Sequence, residues 1–268
     1  MMTVSDPEIE KDYLWLHLRA LPYFRSLMRA VEASFYADIP LPEPALDLGC
    51  GDGHFVNVAF DRAISMGMDP SARSLREASR RGGYRWLCQA DGTRLPYSNG
   101  AFASAFSNSV LEHIPPVDEV LQEISRVLRP GAPFVFSGPN QRFLSALSLG
   151  GFLDRVWLGG LGNAYRTFFN RISRHYHSDS PEIWEKRLAE AGFRLERWWY
   201  YYPPDALHVT EWGHYFGLPS LFWRVLTGRW ILAPYPWNLW LTERYTRRHY
   251  RPEPCEDGVC TFFVAYRN

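Results

Sequence analysis

The stretch Ala45-Leu46-Asp47-Leu48-Gly49-Cys50-Gly51-Asp52-Gly53-His54-Phe55 decides the fold of this chain. Its short apolar run between Pro44 and the glycines predicts a buried parallel strand, and the amphipathic segment that follows predicts a helix. Glycines in the turn let the backbone take positive φ and let a ligand approach closely. Because the helix directs its N-terminal N–H groups and positive dipole end at the same turn, the pattern predicts a site for a nucleotide-like ligand.

Strand and helix patterns alternate beyond this turn. We predict strands at 64–69, 84–90, 102–106, 133–137, 193–202 and 259–266, with helices between them. Alternation of this kind predicts a parallel sheet covered by helices on both faces. Asp69 and Asp91 each end a predicted strand, so both should lie at the ligand edge of the sheet. A carboxylate at the position of Asp69 can accept both hydroxyls of a ribose.

Composition excludes several classes of protein. Lys+Arg and Asp+Glu both number 29 in 268 residues, and this neutral balance argues against a nucleic-acid partner. The four cysteines lack metal-type spacing, so we predict a reducing, cytoplasmic location and no metal site. The first residues lack the pattern of a signal peptide, and no run of about eighteen apolar residues predicts a membrane span.

Five motifs in order carry a resemblance to a known family. They are Asp47–Gly53 (DLGCGDG), Met68–Asp69, Ala90–Tyr97 (ADGTRLPY), Asn108–His113 (NSVLEH) and Glu123–Ala132 (EISRVLRPGA). Together they resemble the class I S-adenosylmethionine-dependent methyltransferases, specifically the small-molecule group called type 11. The rival dinucleotide fingerprint needs its third glycine where His54 stands. The resemblance implies a Rossmann-like, doubly wound seven-stranded α/β sheet, mostly parallel with an antiparallel last strand, and S-adenosyl-L-methionine as cofactor.

The resemblance also implies a role for each cofactor-binding position. Asp47 would hold the methionine ammonium, Asp69 the ribose hydroxyls and Asp91 the adenine amino group, while Asn108 would stand near the sulfonium. Backbone contacts would come from the glycines of the two turns, namely Gly49, Gly51, Gly53 and Gly92. Two alternatives stay open: Asp91 could instead cap its own turn, and Asn108 could be an amide that stabilises a loop.

Three histidines are candidate catalytic residues. His175 and His177 lie before a predicted helix that begins near Ser180, in a segment that contributes to the acceptor pocket in the family. Either could take a proton from an acceptor hydroxyl, since the pKa of histidine suits neutral pH. His113 in the fourth motif is a third candidate. The alternatives are a surface-loop role for the first two and a packing role for His113.

An N-terminal helical segment and two aromatic-rich insertions distinguish this chain from a minimal methyltransferase. We predict an N-terminal helical lid at 1–40, opened by Ser5, Pro7 and Glu8 and broken at Pro22, and a methyltransferase domain at 41–268. Insertions at 141–177 and 203–258 would form a cap on the acceptor side. For the second insertion a homodimer contact and a peripheral membrane contact remain as alternatives.

The function predicted from these patterns is methyl transfer from S-adenosylmethionine to a small-molecule or lipid-like metabolite, at oxygen, nitrogen or carbon. The alternative from another class is a non-catalytic scaffold that binds the cofactor and uses its aromatic insertions to hold a partner or a membrane surface.

Overall fold

The computed structural model describes residues 11–268, which form a single seven-stranded sheet with flanking helices. The strands are β1 (Ala45–Leu48), β2 (Ile64–Asp69), β3 (Tyr84–Gln89), β4 (Ser104–Asn108), β5 (Pro133–Pro139), β6 (Phe193–Tyr201) and β7 (Cys260–Arg267). Their order is β3-β2-β1-β4-β5-β7-β6, and β7 alone runs antiparallel to its neighbours. The predicted doubly wound sheet is confirmed.

The described residues also form eleven α-helices and one short 3-10 helix, of which the first two α-helices precede β1 and the others lie between strands. The 3-10 helix is Leu111–His113. The α-helices are α1 (Tyr13–Leu18), α2 (Tyr23–Tyr36), α3 (His54–Ala59), α4 (Ala72–Arg81), α5 (Val117–Val127), α6 (Ser148–Arg155), α7 (Gly159–Ser173), α8 (Pro181–Glu190), α9 (Pro204–Phe216), α10 (Leu218–Thr227) and α11 (Pro236–Arg247).

Alternate residues of β5 enter two separate apolar clusters. Val135 belongs to a cluster with Tyr36 and Phe262, whereas Phe134 and Phe136 belong to one with residues of α5 and α8. Successive side chains of a strand point to opposite faces, so the sheet is buried on both sides. Burial on both faces is the reason its strands are apolar runs rather than alternating ones.

Strands β4 and β5 differ most from their predicted bounds, and the other strands lie within one residue of theirs. β4 begins at Ser104, because Phe102 forms only an isolated bridge with Leu128. β5 continues to Pro139, since β7 pairs with it as far as that residue. The antiparallel partner is distant in sequence, so local composition could not show how far the pairing extends.

The N-terminal segment is broken into two helices, as predicted from Pro22. Asp12 caps α1, its side chain accepting a hydrogen bond of 3.0 Å from the Trp15 amide. The helix start predicted at Ser5, with Pro7 and Glu8, lies outside the described residues.

The second insertion packs its first helix directly on the N-terminal segment. An added Cβ at Gly213 in α9 would lie 2.3 Å from Cβ of Phe24 in α2, so these helices approach more closely than a larger side chain would allow. α10 and α11 extend the insertion and expose large aromatic side chains; Trp237, for example, is 75% exposed. Within residues 11–268, no helix combines the length and apolar character that crossing a membrane requires. The division into lid, domain and cap stays a prediction.

Candidate active site

The turn between β1 and α3 is held open by positive φ angles. Gly49 has φ +80°, and an added Cβ would lie 2.5 Å from Cγ1 of Val110. The amides of Gly49 and Cys50 both donate to the carbonyl of Met68, at 2.8 and 2.9 Å. Gly51 has φ +56° with no heavy atom within 4 Å of an added Cβ. The backbone at Gly51 is therefore open to a ligand.

Asp47 is a buried carboxylate on β1 beside this turn. The Tyr84 hydroxyl donates to its Oδ2 at 2.5 Å. Burial raises the pKa of Asp47 to about 7, although the hydrogen bond from Tyr84 and the charge of Arg29 oppose the rise. A cationic ligand group beside Asp47 would favour the ionised form.

Asp69 ends β2 at the same edge of the sheet. Its Oδ2 accepts from the Gly51 amide at 3.0 Å, and its Oδ1 accepts from the Ser71 amide at 2.8 Å. A carboxylate offers about four lone-pair sites, so both oxygens retain capacity for ribose hydroxyls. Asp69 thus braces the glycine turn as well as offering the predicted ribose site.

Gly53 and Gly92 have other surroundings. Gly53 is the N-cap of α3 with φ +73°, and an added Cβ would lie 3.1 Å from Ala78, which makes its smallness a packing requirement. Gly92 follows Asp91, whose Oδ1 accepts from both the amide and the hydroxyl of Thr93 at 2.9 Å. These bonds lower the pKa of the exposed Asp91. The capping alternative therefore describes the observed side chain, and contact with adenine stays a prediction.

Asn108 ends β4 and is buried. Its Nδ2 donates to Oε2 of Glu32 at 2.6 Å, and its Oδ1 accepts from the Ser137 hydroxyl at 3.1 Å. The Arg29 guanidinium also donates to the Asn108 carbonyl at 2.9 Å. The amide therefore joins α2 to the sheet edge, as the loop-stabilising alternative proposed, while still lining a cavity.

The first cavity, of about 310 Å³, lies over the glycine turn. The predicted residues that line it are Asp47, Gly49, Gly51 and Asn108. Sequence reasoning missed Arg25, Arg29 and Trp230, which also line it. Arg25 and Arg29 are four residues apart and so share one face of α2, a spacing that could have indicated them.

The second cavity, of about 380 Å³, adjoins the first and shares Arg25, Arg29 and Trp230 with it. Its walls include apolar side chains from α2, the first insertion and the loop after β5, namely Phe24, Met28, Phe143, Phe169 and Ile172. An apolar cavity with a few polar groups is the usual form of a small-molecule site.

His113 and His175 line the second cavity with rings 5.4 Å apart. His113 Nδ1 lies 3.1 Å from the Arg174 carbonyl, which can only accept, so Nδ1 carries the hydrogen. Burial lowers the pKa of both histidines, that of His175 to about 4. The His175 ring is therefore neutral at pH 7.

His177 does not line the second cavity. Its Nε2 lies 3.1 Å from the carbonyl oxygens of Ile114 and Pro115, and its Nδ1 lies 3.6 Å from Asp179. The ring fastens the segment before α8 to the loop after the 3-10 helix, which leaves it poorly placed to act as a base.

Glu112 is a buried carboxyl that sequence reasoning left unassigned. Its Oε2 has no hydrogen-bond partner, and its Oε1 lies 3.7 Å from His113 Nε2. Burial raises the pKa of Glu112 to about 8. One side-chain N or O atom from each of Glu112, His113 and His175 lies within 4.8 Å of the others, and we call these three residues the Glu112 cluster.

The family comparison matches residues 46–136 to the model described as "Methyltransferase domain", of the Methyltransf_11 type. The match spans β1 to β5 and so contains the glycine turn, Asp69, Asp91 and Asn108. Residues 46–136 therefore match a class I S-adenosylmethionine-dependent methyltransferase domain of type 11. S-adenosylmethionine is the cofactor that this family and fold imply.

Two relatives illustrate how far the similarity extends. The malonyl-[acyl-carrier protein] O-methyltransferase of Legionella pneumophila is 34% identical over 37% of this chain and 38% of its own. The demethylmenaquinone methyltransferase of Beutenbergia cavernae is 30% identical over 59% of this chain and 65% of its own. The chain thus spans less than two thirds of the length of either curated relative.

Solved structures share the fold at low identity. A methyltransferase from Thermotoga maritima has a TM-score of 0.55 and 16% identity, covering 96% of this chain and 93% of its own. The [4+2]-cyclase SpnF has a TM-score of 0.54 and 19% identity, covering 89% of this chain and 80% of its own. A methyltransferase fold can therefore host another reaction, and function must be argued from the site.

The residues of the first cavity fit the implied cofactor. Asp47 supplies a buried carboxylate suited to an ammonium group, and Gly51 lines the cavity with open backbone. Asp69 does not line this cavity, but it stands beside the turn with lone pairs available for a ribose. These features match a ligand with an amino-acid end and a nucleoside end.

Proposed function

We propose that this protein transfers a methyl group from S-adenosylmethionine to a small-molecule or lipid-like acceptor. The observation that carries the proposal is the pair of adjoining cavities, one over the glycine turn and one with apolar walls, which share Arg25, Arg29 and Trp230. Bound in the first cavity, the cofactor would supply an electrophilic methyl group on a sulfonium. Alignment of two reactants in such an arrangement can supply much of the rate.

Arg25 would recognise an anionic part of the acceptor. It lines both cavities, and its guanidinium carbon lies 5.8 Å from the Trp230 ring. Burial lowers the pKa of Arg25, which still leaves it charged at neutral pH. The acceptor class that fits best is an apolar molecule with a carboxylate or phosphate near the reacting atom.

His175 and His113 are the residues that would face an acceptor hydroxyl, since both line the second cavity. An unprotonated ring nitrogen of either histidine could accept a hydrogen bond from that hydroxyl. His177 has no part in this proposal, because its ring is bonded to backbone carbonyls.

We also propose peripheral contact with an anionic membrane surface through α10 and α11. Residues 218–251 contain six arginines and one carboxylate, Glu243. Large side chains are exposed there, including Phe222 at 59% and Trp240 at 56%. Trp230, in the same segment, lines both cavities, so a lipid-like acceptor could enter from that surface. A cytoplasmic location remains part of the same proposal.

The test combines binding and turnover. Calorimetry with S-adenosylhomocysteine should show one saturable site that Asp47→Asn weakens. Transfer of a radiolabelled methyl group should then be followed across phenols, carboxylic acids, amines and prenylated acceptors. No binding by the parent would refute the proposal. Binding without transfer to any acceptor, together with a stable protein complex through 203–258, would favour the non-catalytic scaffold.

A further inference from the structure

The Glu112 cluster occupies a defined place in the fold. Glu112 and His113 lie in the 3-10 helix after β4, while His175 follows α7 in the first insertion. Two hydrogen bonds join these segments, because the amides of Tyr176 and His177 both donate to the Glu112 carbonyl, at 2.7 and 3.3 Å. The backbone itself therefore holds His175 beside Glu112.

The cluster has buried polar atoms without partners. Oε2 of Glu112 and Nδ1 of His175 are both buried and make no hydrogen bond. Glu112 is only 3% exposed. Leaving a buried polar atom unpaired costs about 1–3 kcal/mol, so a ligand that reached both atoms would stabilise the cluster.

The third residue already has the arrangement of a metal-ligating histidine. His113 donates from Nδ1 to the Arg174 carbonyl, so its Nε2 carries a lone pair that could bind a metal ion. Histidines that ligate metals usually donate their other ring N–H to a carbonyl or carboxylate, which fixes the tautomer. His113 Nε2 lies 3.7 Å from Oε1 of Glu112, so the available lone pair is beside the carboxyl.

We propose that Glu112, His113 and His175 bind a divalent transition-metal cation that faces the second cavity. Two imidazoles and one carboxylate suit Zn²⁺, Mn²⁺ or Fe²⁺ better than Mg²⁺ or Ca²⁺, which prefer all-oxygen ligands. Three protein ligands leave coordination positions open for a ligand from the cavity. Metal–ligand bonds are about 2.0–2.2 Å, so side chains whose ligand atoms lie within 4.8 Å would close by small rotations.

The cation would hold the oxygen of the methyl acceptor, a role that rests on the proposed methyl transfer. Coordination lowers the pKa of a bound hydroxyl, whose proton would pass to water. The acceptor oxygen would then form its bond to the methyl carbon as the sulfonium carbon–sulfur bond breaks, leaving a neutral thioether. This arrangement favours O-methylation, since a metal-held hydroxyl gains most from losing its proton.

The experiment measures the metal alone, without cofactor or acceptor. Chelator-treated full-length protein is titrated with Zn²⁺ by calorimetry and with Co²⁺ by visible absorption, which reports nitrogen and oxygen ligation. We expect one equivalent to bind, and His175→Ala and Glu112→Gln each to weaken binding by about 100-fold or more. His249→Ala is the control, because His249 is not part of the Glu112 cluster; its Nδ1 lies 3.0 Å from Oδ2 of Asp205. This variant should bind the metal like the parent.

Two further measurements keep the outcome clear. Each variant is also tested for S-adenosylhomocysteine binding. Loss of metal binding is attributed to the substituted side chain only in a variant that still binds this compound in the first cavity. Absence of stoichiometric Zn²⁺ and Co²⁺ binding by the parent, or equal binding by parent and Glu112→Gln, would overturn the metal site. Neither result would affect methyl transfer itself, which is tested separately.

Discussion

Oε2 of Glu32 accepts a hydrogen bond of 2.6 Å from Nδ2 of Asn108, and this contact joins α2 to the end of β4. Oε1 of the same carboxylate accepts from the Tyr201 hydroxyl at 2.9 Å and from the Ser109 hydroxyl. Glu32 is fully buried, and the Arg29 guanidinium lies 3.2 Å away. The carboxylate of Glu32 thus joins the N-terminal segment to Asn108, which lines the first cavity, and to Ser109, which lines the second.

Replacing Glu32 with glutamine should destabilise the fold. The amide would keep the shape but lose the charge and one acceptor, leaving buried donors such as Asn108 poorly satisfied. We expect the free energy of unfolding to fall by about 2–4 kcal/mol, measured by urea denaturation. Glu190→Gln is the matched control on an exposed helix end and should change it by less than about 0.5 kcal/mol. Equal effects would show that the buried network contributes nothing.

Gly49→Ala should lower the free energy of unfolding by more than the strain of a left-handed φ alone. The new Cβ would be strained at φ +80° and would also meet Val110 at 2.5 Å. Gly131→Ala isolates the first effect, since Gly131 has φ +75° with no atom within 4 Å of an added Cβ. We expect Gly131→Ala to lower the free energy of unfolding by about 1–2 kcal/mol. Gly49→Ala should lower it by about 1–3 kcal/mol more, measured by denaturation. Similar losses would contradict the close approach of Val110.

Cofactor affinity should rise with pH through neutrality. Burial raises the pKa of Asp47 to about 7, and only the ionised carboxylate attracts the ammonium of the ligand. Protonation competes with binding, so we expect S-adenosylhomocysteine to bind about tenfold more weakly at pH 6 than at pH 8. Asp47→Asn should bind weakly at both values, which makes it the control. A flat profile in the parent would mean that Asp47 does not hold the ammonium.

Ionisation of Asp47 has the opposite effect on folding: as pH rises, it strengthens cofactor binding but lowers the stability of the fold. The folded protein retains a proton on Asp47 up to about pH 7, whereas the unfolded chain loses it near its ordinary pKa of 3.8. The contribution of Asp47 to stability therefore falls as pH rises from about 4 to 7 and is constant above that range. Comparing the parent with Asp47→Asn by denaturation across this range measures it.

Membrane contact should depend on the aromatic residues of α11. We expect the parent to float with phosphatidylglycerol vesicles at low salt, and Trp237→Ala/Trp240→Ala to float at least several-fold less. Trp157→Ala is the control, because Trp157 is 95% exposed but belongs to the first insertion. Absence of flotation combined with a dimer in sedimentation would support a homodimer contact instead.

Local pattern was sufficient for most of the fold. The glycine turn, the strand-ending Asp69 and the alternation of helices with apolar runs each depend on neighbours close in sequence, so they predicted the sheet and the cofactor side. The resemblance carried by five motifs in order then implied S-adenosylmethionine. The extent of β5 escaped this reasoning, because its end depends on pairing with β7.

Only the tertiary structure decided which polar residues meet at the second cavity. The amides of Tyr176 and His177 donate to the Glu112 carbonyl and so bring the segment that contains His175 beside the 3-10 helix. The ring of His177, by contrast, is turned to backbone carbonyls. Arg25 reaches both cavities because α2 lies across the sheet edge. The sequence by itself determined the class of fold, since that depends on local periodicity and turn chemistry, and its resemblance to a known family implied the cofactor. The lining of the second cavity depends on how the insertions pack, and that packing is set by long-range contacts.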